Sequence, residues 1–137
     1  MEEPKWILIE TVLAIHKRQI SEHGGLEGIR SYPLLESSMN APKQFFHYEN
    51  PKPTIAELAT SYAFSLIKNH PFNDGNKRIS LITCELFLKL NGKRLNATQT
   101  EKYHYYIAVA AGNLSKEEFA KWIVANVVID ASEKATI

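Results

Sequence analysis

The chain has 137 residues, 45% of them hydrophobic and 23% charged, with a formal net charge of +1. That is one domain's worth of sequence with apolar material for a single core, and too even a charge balance for global disorder or a broad nucleic-acid footprint. Cys84 is alone, which excludes an intrachain disulfide framework and a cysteine-based zinc site. No apolar run reaches the roughly 18 residues of a membrane span, and the acidic start MEEPKW is unlike a signal peptide, so a cytoplasmic domain with no nucleic-acid and no membrane partner is expected.

Trp6, Ile9, Val12, Leu13, His16 and Ile20 recur at helical spacing, which predicts a helix over about 5–22 stopped by Gly24-Gly25. Pro33 suits the first turn of a second helix over about 32–40. Residues 41–53 carry three prolines with Phe45, Phe46 and Tyr48. They read as a long connection, either a short hairpin with KQFFHYE supplying two brief strands or a surface loop whose aromatics cover the bundle. Thr54 with Glu57, Thr98 with Glu101 and Ser115 with Glu118 each match a capping box. They predict helices over about 54–69, 98–111 and 115–128. Between the first two of these lies a further helix over about 75–91, with Gly92 as its stop. Its stripe Ile79, Ile82, Thr83, Leu86, Phe87 and Leu90 is assigned to the core, with Cys84 as a small buried hydrophobe. All six prolines then fall at helix ends or in loops. The tail from about Asp130 loses apolar periodicity and is expected to fray. The fold class is all-α, a single compact helical bundle.

The chemistry concentrates in HPFNDGNKR, residues 70–78. Pro71 disfavours helical geometry at His70, so the third helix should end there and the fourth begin just beyond Gly75. Helix N-termini favour Asp or Glu in the first turn, yet here the first turn carries Lys77 and Arg78. Either both cations splay into water, or an anion sits among them with the helix N–H groups as its cradle. His70 can accept a proton near neutral pH, and Asp74 is a hard anionic ligand suited to Mg²⁺ shared with phosphates. Together these are the parts of phosphoryl transfer. Asp74 also reads as a plain N-cap, His70 as a helix-terminal histidine, and Phe72 as a core plug. There is no P-loop spacing, no HExxH pattern and no G-x-S-x-G elbow.

HPFNDGNKR resembles the active-site motif of the Fic/Doc family, whose core reads His-x-Phe-x-Asp/Glu-Gly-Asn-Gly/Lys-Arg. The opening IHKRQISEHGGLEGIRSYPLLESSMNAP is similar to the N-terminal region of its death-on-curing branch, and the resemblance covers about residues 5–128. It implies His70 as general base on the target hydroxyl, Phe72 as the loop's hydrophobic anchor and Asp74 as the Mg²⁺ ligand. It further implies Gly75 and Asn76 in the anion cradle and Arg78 paired with a phosphate. Residues 43–50 look like the flap, which in this family aligns an extended stretch of the target by strand pairing.

Lys77 stands where the AMP-transferring majority has glycine, and Leu81 where that majority has a second arginine. Both departures match the death-on-curing branch. The implied activity is therefore transfer of the γ-phosphate of ATP to a Ser or Thr hydroxyl of a protein, with elongation factor Tu as the implied target and a block of translation as the outcome. The alternatives are an AMP transferase that tolerates Lys77, a catalytically silent binding module, and a phosphotransferase acting on a small molecule. No Ser or Thr has Glu four residues on, so the family's self-inhibiting pattern is missing, and an antitoxin acting in trans is expected to supply control.

Overall fold

A computed structural model describes residues 2–130, within which six helices and one small sheet are found. The elements are α1 (Ile9–His23), α2 (Tyr32–Tyr48), α3 (Ile55–Asn69), α4 (Asn76–Leu90), β1 (Lys93–Leu95), α5 (Gln99–Ala110), α6 (Lys116–Asn126) and β2 (Val127–Ile129). The all-α bundle expected from the sequence is what forms. β1 and β2 pair antiparallel, Lys93 opposite Ile129 and Leu95 opposite Val127, so α6 ends two residues short of its expected limit and gives way to a strand. Asp130 closes that ribbon: it is buried and its N–H donates to the Gly92 carbonyl at 3.0 Å. The rest of the tail expected to fray, residues 131–137, lies outside the described residues.

All three capping boxes form in both directions, at Thr54/Glu57, Thr98/Glu101 and Ser115/Glu118. Each ties two N–H groups that the first helical turn leaves without intrahelical partners. The Ser115 contacts also hold the Glu118 carboxyl below its ordinary range. α3 is the central helix. Leu58, Ala59, Ala63 and Leu66 are fully buried, and so is the ring of Tyr62, whose hydroxyl accepts from the Ile7 N–H at 3.2 Å. Burial pushes that phenol up to about 12. A helix buried on most of its circumference fixes the ends that flank it, and the C-terminal end of α3 is where HPFNDGNKR begins.

The first residues differ from expectation. Residues 5–8 have no regular secondary structure, and α1 starts only at Ile9, behind an extended N-cap (Leu8) with no capping side chain. Asn91 holds that segment by accepting from Lys5 N–H at 2.9 Å and donating to Lys5 O at 3.1 Å. Trp6 stacks on Phe87 and meets Phe46 edge-on.

The larger correction concerns residues 41–53. No hairpin and no loop forms over residues 43–48; α2 runs straight through Pro42 to Tyr48. A proline inside a helix costs about 3 kcal/mol through a lost hydrogen bond and a clash one turn back. Here Pro42 itself is buried, and continuing the helix carries Phe46 into the core against Trp6. Lys52 then folds back over the end of α2, donating to Phe46 O at 2.7 Å with its ammonium 4.8 Å above the Phe46 ring. Packing outweighs the local signal, and residues 43–48 are helical rather than the extended flap that the resemblance implied.

On α4 the buried face is turned from the expected stripe. Ile79, Thr83, Cys84 and Phe87 are buried as expected, but Ser80 and Leu88 complete the face, whereas Leu90 is exposed and Ile82 and Leu86 are half-buried. Cys84 is a fully buried free thiol, pushed up to about 12 by burial.

Candidate active site

α3 ends at His70, its C-cap, which takes a left-handed conformation (φ 50°, ψ 55°) and donates its N–H to Leu66 O. Among the described residues it is the one non-glycine residue with positive φ. Such a conformation costs on the order of 1–3 kcal/mol and persists where surrounding contacts enforce it. They do so here through Arg30, whose Nε donates to His70 O at 2.6 Å and whose Nη2 donates to Asn69 O at 2.7 Å. A cation on the last carbonyls of α3 satisfies groups the helix cannot satisfy itself and faces the negative end of its dipole. The His70 side chain is left exposed to solvent.

The loop that follows is closed from within by Asn76. Its buried amide accepts from Phe72 N–H at 3.0 Å and donates to Phe72 O at 2.9 Å. Phe72 is fully buried, as a core plug should be. Gly75 is the N-cap of α4, left-handed (φ 76°), with no side-chain capping bond and no acidic residue in the first turn. Ile79 N–H bonds back to Gly75 O, which makes Asn76, Lys77 and Arg78 the residues whose N–H groups precede the first intrahelical bond. The side chains of Lys77 and Arg78 are exposed. The cationic helix start inferred from the sequence is thus the observed one; it has no capping side chain, and Asp74 does not cap it as its N-cap reading expected.

Asp74 is held otherwise. One carboxylate oxygen accepts from Gly75 N–H at 2.9 Å and the other from Leu26 N–H at 3.1 Å. These two bonds hold the carboxyl below its ordinary range, with smaller contributions in the same direction from His16 and His70. The group is exposed, acceptor-only and ionised, and each oxygen keeps a lone pair, which suits a hard divalent cation. Among the described residues no group of three His, Cys, Asp or Glu side chains could hold a metal alone. An ion at Asp74 would need its remaining ligands from phosphate oxygens and water, as Mg²⁺ commonly does.

Leu26 belongs to a segment that sequence reasoning passed over. Residues 24–31 form a strap along the loop 70–74. Asn73 N–H donates to Gly28 O, the N–H groups of Arg30 and Ser31 both donate to Pro71 O, and Ile29 pairs with Phe72 in an antiparallel bridge. The Asn73 side chain adds a bond to Glu27 O at 3.0 Å. Gly24 and Gly25 were legible only as a helix stop. Gly25 also has a steric role: at φ 119°, a Cβ built there would lie 2.8 Å from Asp74 Oδ2. From the opposite side α1 contributes His16, buried and likewise unassigned by its spacing. Its Nε2 lies 2.8 Å from Asp74 O, and its ring stacks on Phe72 at 3.8 Å. A cleft of about 190 Å³ lies between α1 and the strap, lined by Leu13, His16, Ile20, Ile29 and Phe72 together with Lys17, Glu27 and Gly28.

The site therefore brings together an exposed histidine, an exposed carboxylate braced by backbone N–H groups, and an uncapped helix N-terminus bearing two cations. Comparison with known proteins identifies the family to which the chain belongs. The chain is 29% identical over 111 residues to Protein kinase doc of Escherichia phage P1, which covers 81% of this chain and 86% of that one. It is 32% identical over 74 residues to Toxin Doc of Mycolicibacterium smegmatis, covering 54% of this chain and 57% of the relative. Residues 6–88, more than half of the sequence and including the whole loop, match the model of the Fic/DOC family, and with two relatives that bear the Doc name the chain belongs to that family, on its Doc side.

Proposed function

We propose that the protein is a Doc-like toxin that transfers the γ-phosphate of ATP to a Ser or Thr hydroxyl of a target protein. The observation that carries this reading is the start of α4, which has no capping side chain, no acid in its first turn, and Lys77 and Arg78 exposed beside it. Free N–H groups, the helix dipole and two cations form a cradle for phosphate oxygens. His70, exposed at the rim, takes the proton of the incoming hydroxyl as its oxygen attacks the γ-phosphorus. The bond from that phosphorus to the β-bridging oxygen breaks, and ADP leaves. Asp74 supplies the carboxylate for Mg²⁺, which when bound neutralises charge on the phosphates. Lys77 and Arg78 hold the phosphate oxygens, Gly75 lets the backbone approach them, and Asn76 and Phe72 keep the loop in shape.

Two features favour phosphate over AMP transfer. Lys77 places a long cation at the second residue of α4, where a bare backbone would otherwise receive a phosphate. Leu81, where AMP transferases of this family carry an arginine, packs against the core and offers no cation. Elongation factor Tu as the target, a block of translation, and inhibition in trans by an antitoxin segment complete the proposal; the relative named Toxin Doc supports the toxin context. The test is incubation of the protein and elongation factor Tu with ATP labelled at either the α or the γ phosphate. Label reaching the target from the γ position alone is expected. Label from the α position would establish AMP transfer instead. Growth inhibition that survives His70→Ala would establish a binding module.

A further inference from the structure

The geometry points to His16 as a positioning residue for Asp74, acting from α1 on the peptide that follows the aspartate side chain. Val12, His16 and Ile20 are the buried residues of α1, one turn apart, so His16 occupies the middle of an otherwise apolar face. A buried imidazole there needs a polar partner, and it finds one in the carbonyl oxygen of Asp74, 2.8 Å from Nε2. A carbonyl only accepts, so Nε2 carries the proton and donates. The same ring lies flat on Phe72, 3.8 Å between centroids and 12° between planes. Its Nε2 also lies 3.7 Å from the point where a Cβ on Gly75 would be. One side chain thus fixes the Phe72 end of the loop by stacking and the Asp74–Gly75 peptide by hydrogen bonding.

That peptide carries two parts of the site. Its carbonyl side bears the Asp74 carboxylate, and its N–H side is the Gly75 amide that donates to the same carboxylate. If the peptide rotates, the carboxylate loses its place relative to the start of α4 and to the Leu26 N–H that braces its other oxygen. The contacts of His16 are to the Asp74 carbonyl and the Phe72 ring, both within the loop. His16 acts through Asp74, and its effect on nucleotide binding rests on the functional reading above.

Two substitutions separate the hydrogen bond from the stack. His16→Gln keeps an amide donor near the Nε2 position and loses the ring; His16→Phe keeps the ring and loses the donor. Calorimetric titration with ATP, with and without Mg²⁺, gives the first readout. Partners that orient a metal ligand typically change metal affinity by about 10–100-fold. His16→Phe should weaken binding in Mg²⁺ by that factor and leave Mg²⁺-free ATP binding unchanged, while His16→Gln stays near wild type. A merely structural role would move both titrations together. The second readout is the backbone amide resonance of Leu26, whose N–H bond reports the carboxylate's position without any ligand. It should shift in His16→Phe and hold in His16→Gln. Wild-type Mg²⁺-dependent affinity with an unmoved Leu26 amide in His16→Phe would overturn the assignment, as would equal loss in both variants. Absence of Mg²⁺-dependent ATP binding in the wild-type protein would overturn the functional reading, and the Leu26 amide would then decide the role of His16 by itself.

Discussion

Gly24 and Gly25 are adjacent glycines with positive φ, 83° and 119°, yet alanine at the two positions should have different consequences. Both substitutions force an L-residue into a conformation it rarely adopts, at a cost of about 1–3 kcal/mol. Both also remove backbone freedom from the unfolded chain, which offsets about 0.4–1 kcal/mol. Each variant should therefore lose about 1–2 kcal/mol in denaturant unfolding. The difference lies in what the new methyl meets. At Gly24 nothing is within 4 Å, whereas at Gly25 the Cβ falls 2.8 Å from Asp74 Oδ2, 3.2 Å from Asp74 Cγ and 3.2 Å from Ile20 Cδ1. Relief requires the carboxylate to move, because the strap is tied to the loop on the other side by Asn73 and Pro71. Gly25→Ala should then weaken Mg²⁺-dependent ATP binding at least about tenfold, the lower end of the usual effect of displacing a metal ligand's support. Gly24→Ala should leave it within about twofold. Denaturant melts and calorimetry on the pair measure the two effects separately. Equal nucleotide affinities in the two variants would refute the claim that Gly25 exists to admit the Asp74 carboxylate.

Asn76→Ala removes both bonds to the buried Phe72 backbone and leaves an N–H and a carbonyl without partners; a loss of about 2–4 kcal/mol in chemical denaturation is expected. Thr98→Ala deletes the α5 cap and should cost about 1 kcal/mol in the same assay, with no change in nucleotide binding. Cys84, fully buried and raised to about 12, should resist an aromatic disulfide reagent at neutral pH and react stoichiometrically only in denaturant. Asp74 has a lowered folded pKa, so its contribution to stability is complete above the unfolded value and fades as pH falls through the folded one. Asp74→Asn should flatten the acid limb of the stability profile below about pH 4 and leave the shape near neutrality unchanged, measured by thermal melts across the range.

The parts of this molecule that could be read from its sequence are those whose physics is local. A capping box spans four residues and closes on itself, so Thr54, Thr98 and Ser115 announced their helices. The nine residues from His70 to Arg78 are contiguous, so their chemistry was visible before their geometry. Pro42 gave a local signal that was real but outweighed, because stopping α2 there would leave Phe46 out of the core. The α4 face was misjudged for a related reason. Ser80 is polar by type yet fully buried, and a hydrophobic pattern passes over a residue buried for its small size.

The strap was the least legible element, because it holds the loop largely through backbone groups supplied from forty or more residues away. Backbone hydrogen bonds leave no mark on residue type except where a side chain would intrude, and Gly25 and Gly28 are those marks. The consequence for function is that HPFNDGNKR is half of the site. Asp74 receives one contact from residue 16 and one from residue 26, on either side of the point where α1 stops. The end of α1 and the turn after it therefore set the position of the carboxylate, and Arg30, further along the same strap, holds the backbone of His70. Any partner that pulled residues 24–31 away from the loop would release both at once, without touching a single residue of the motif.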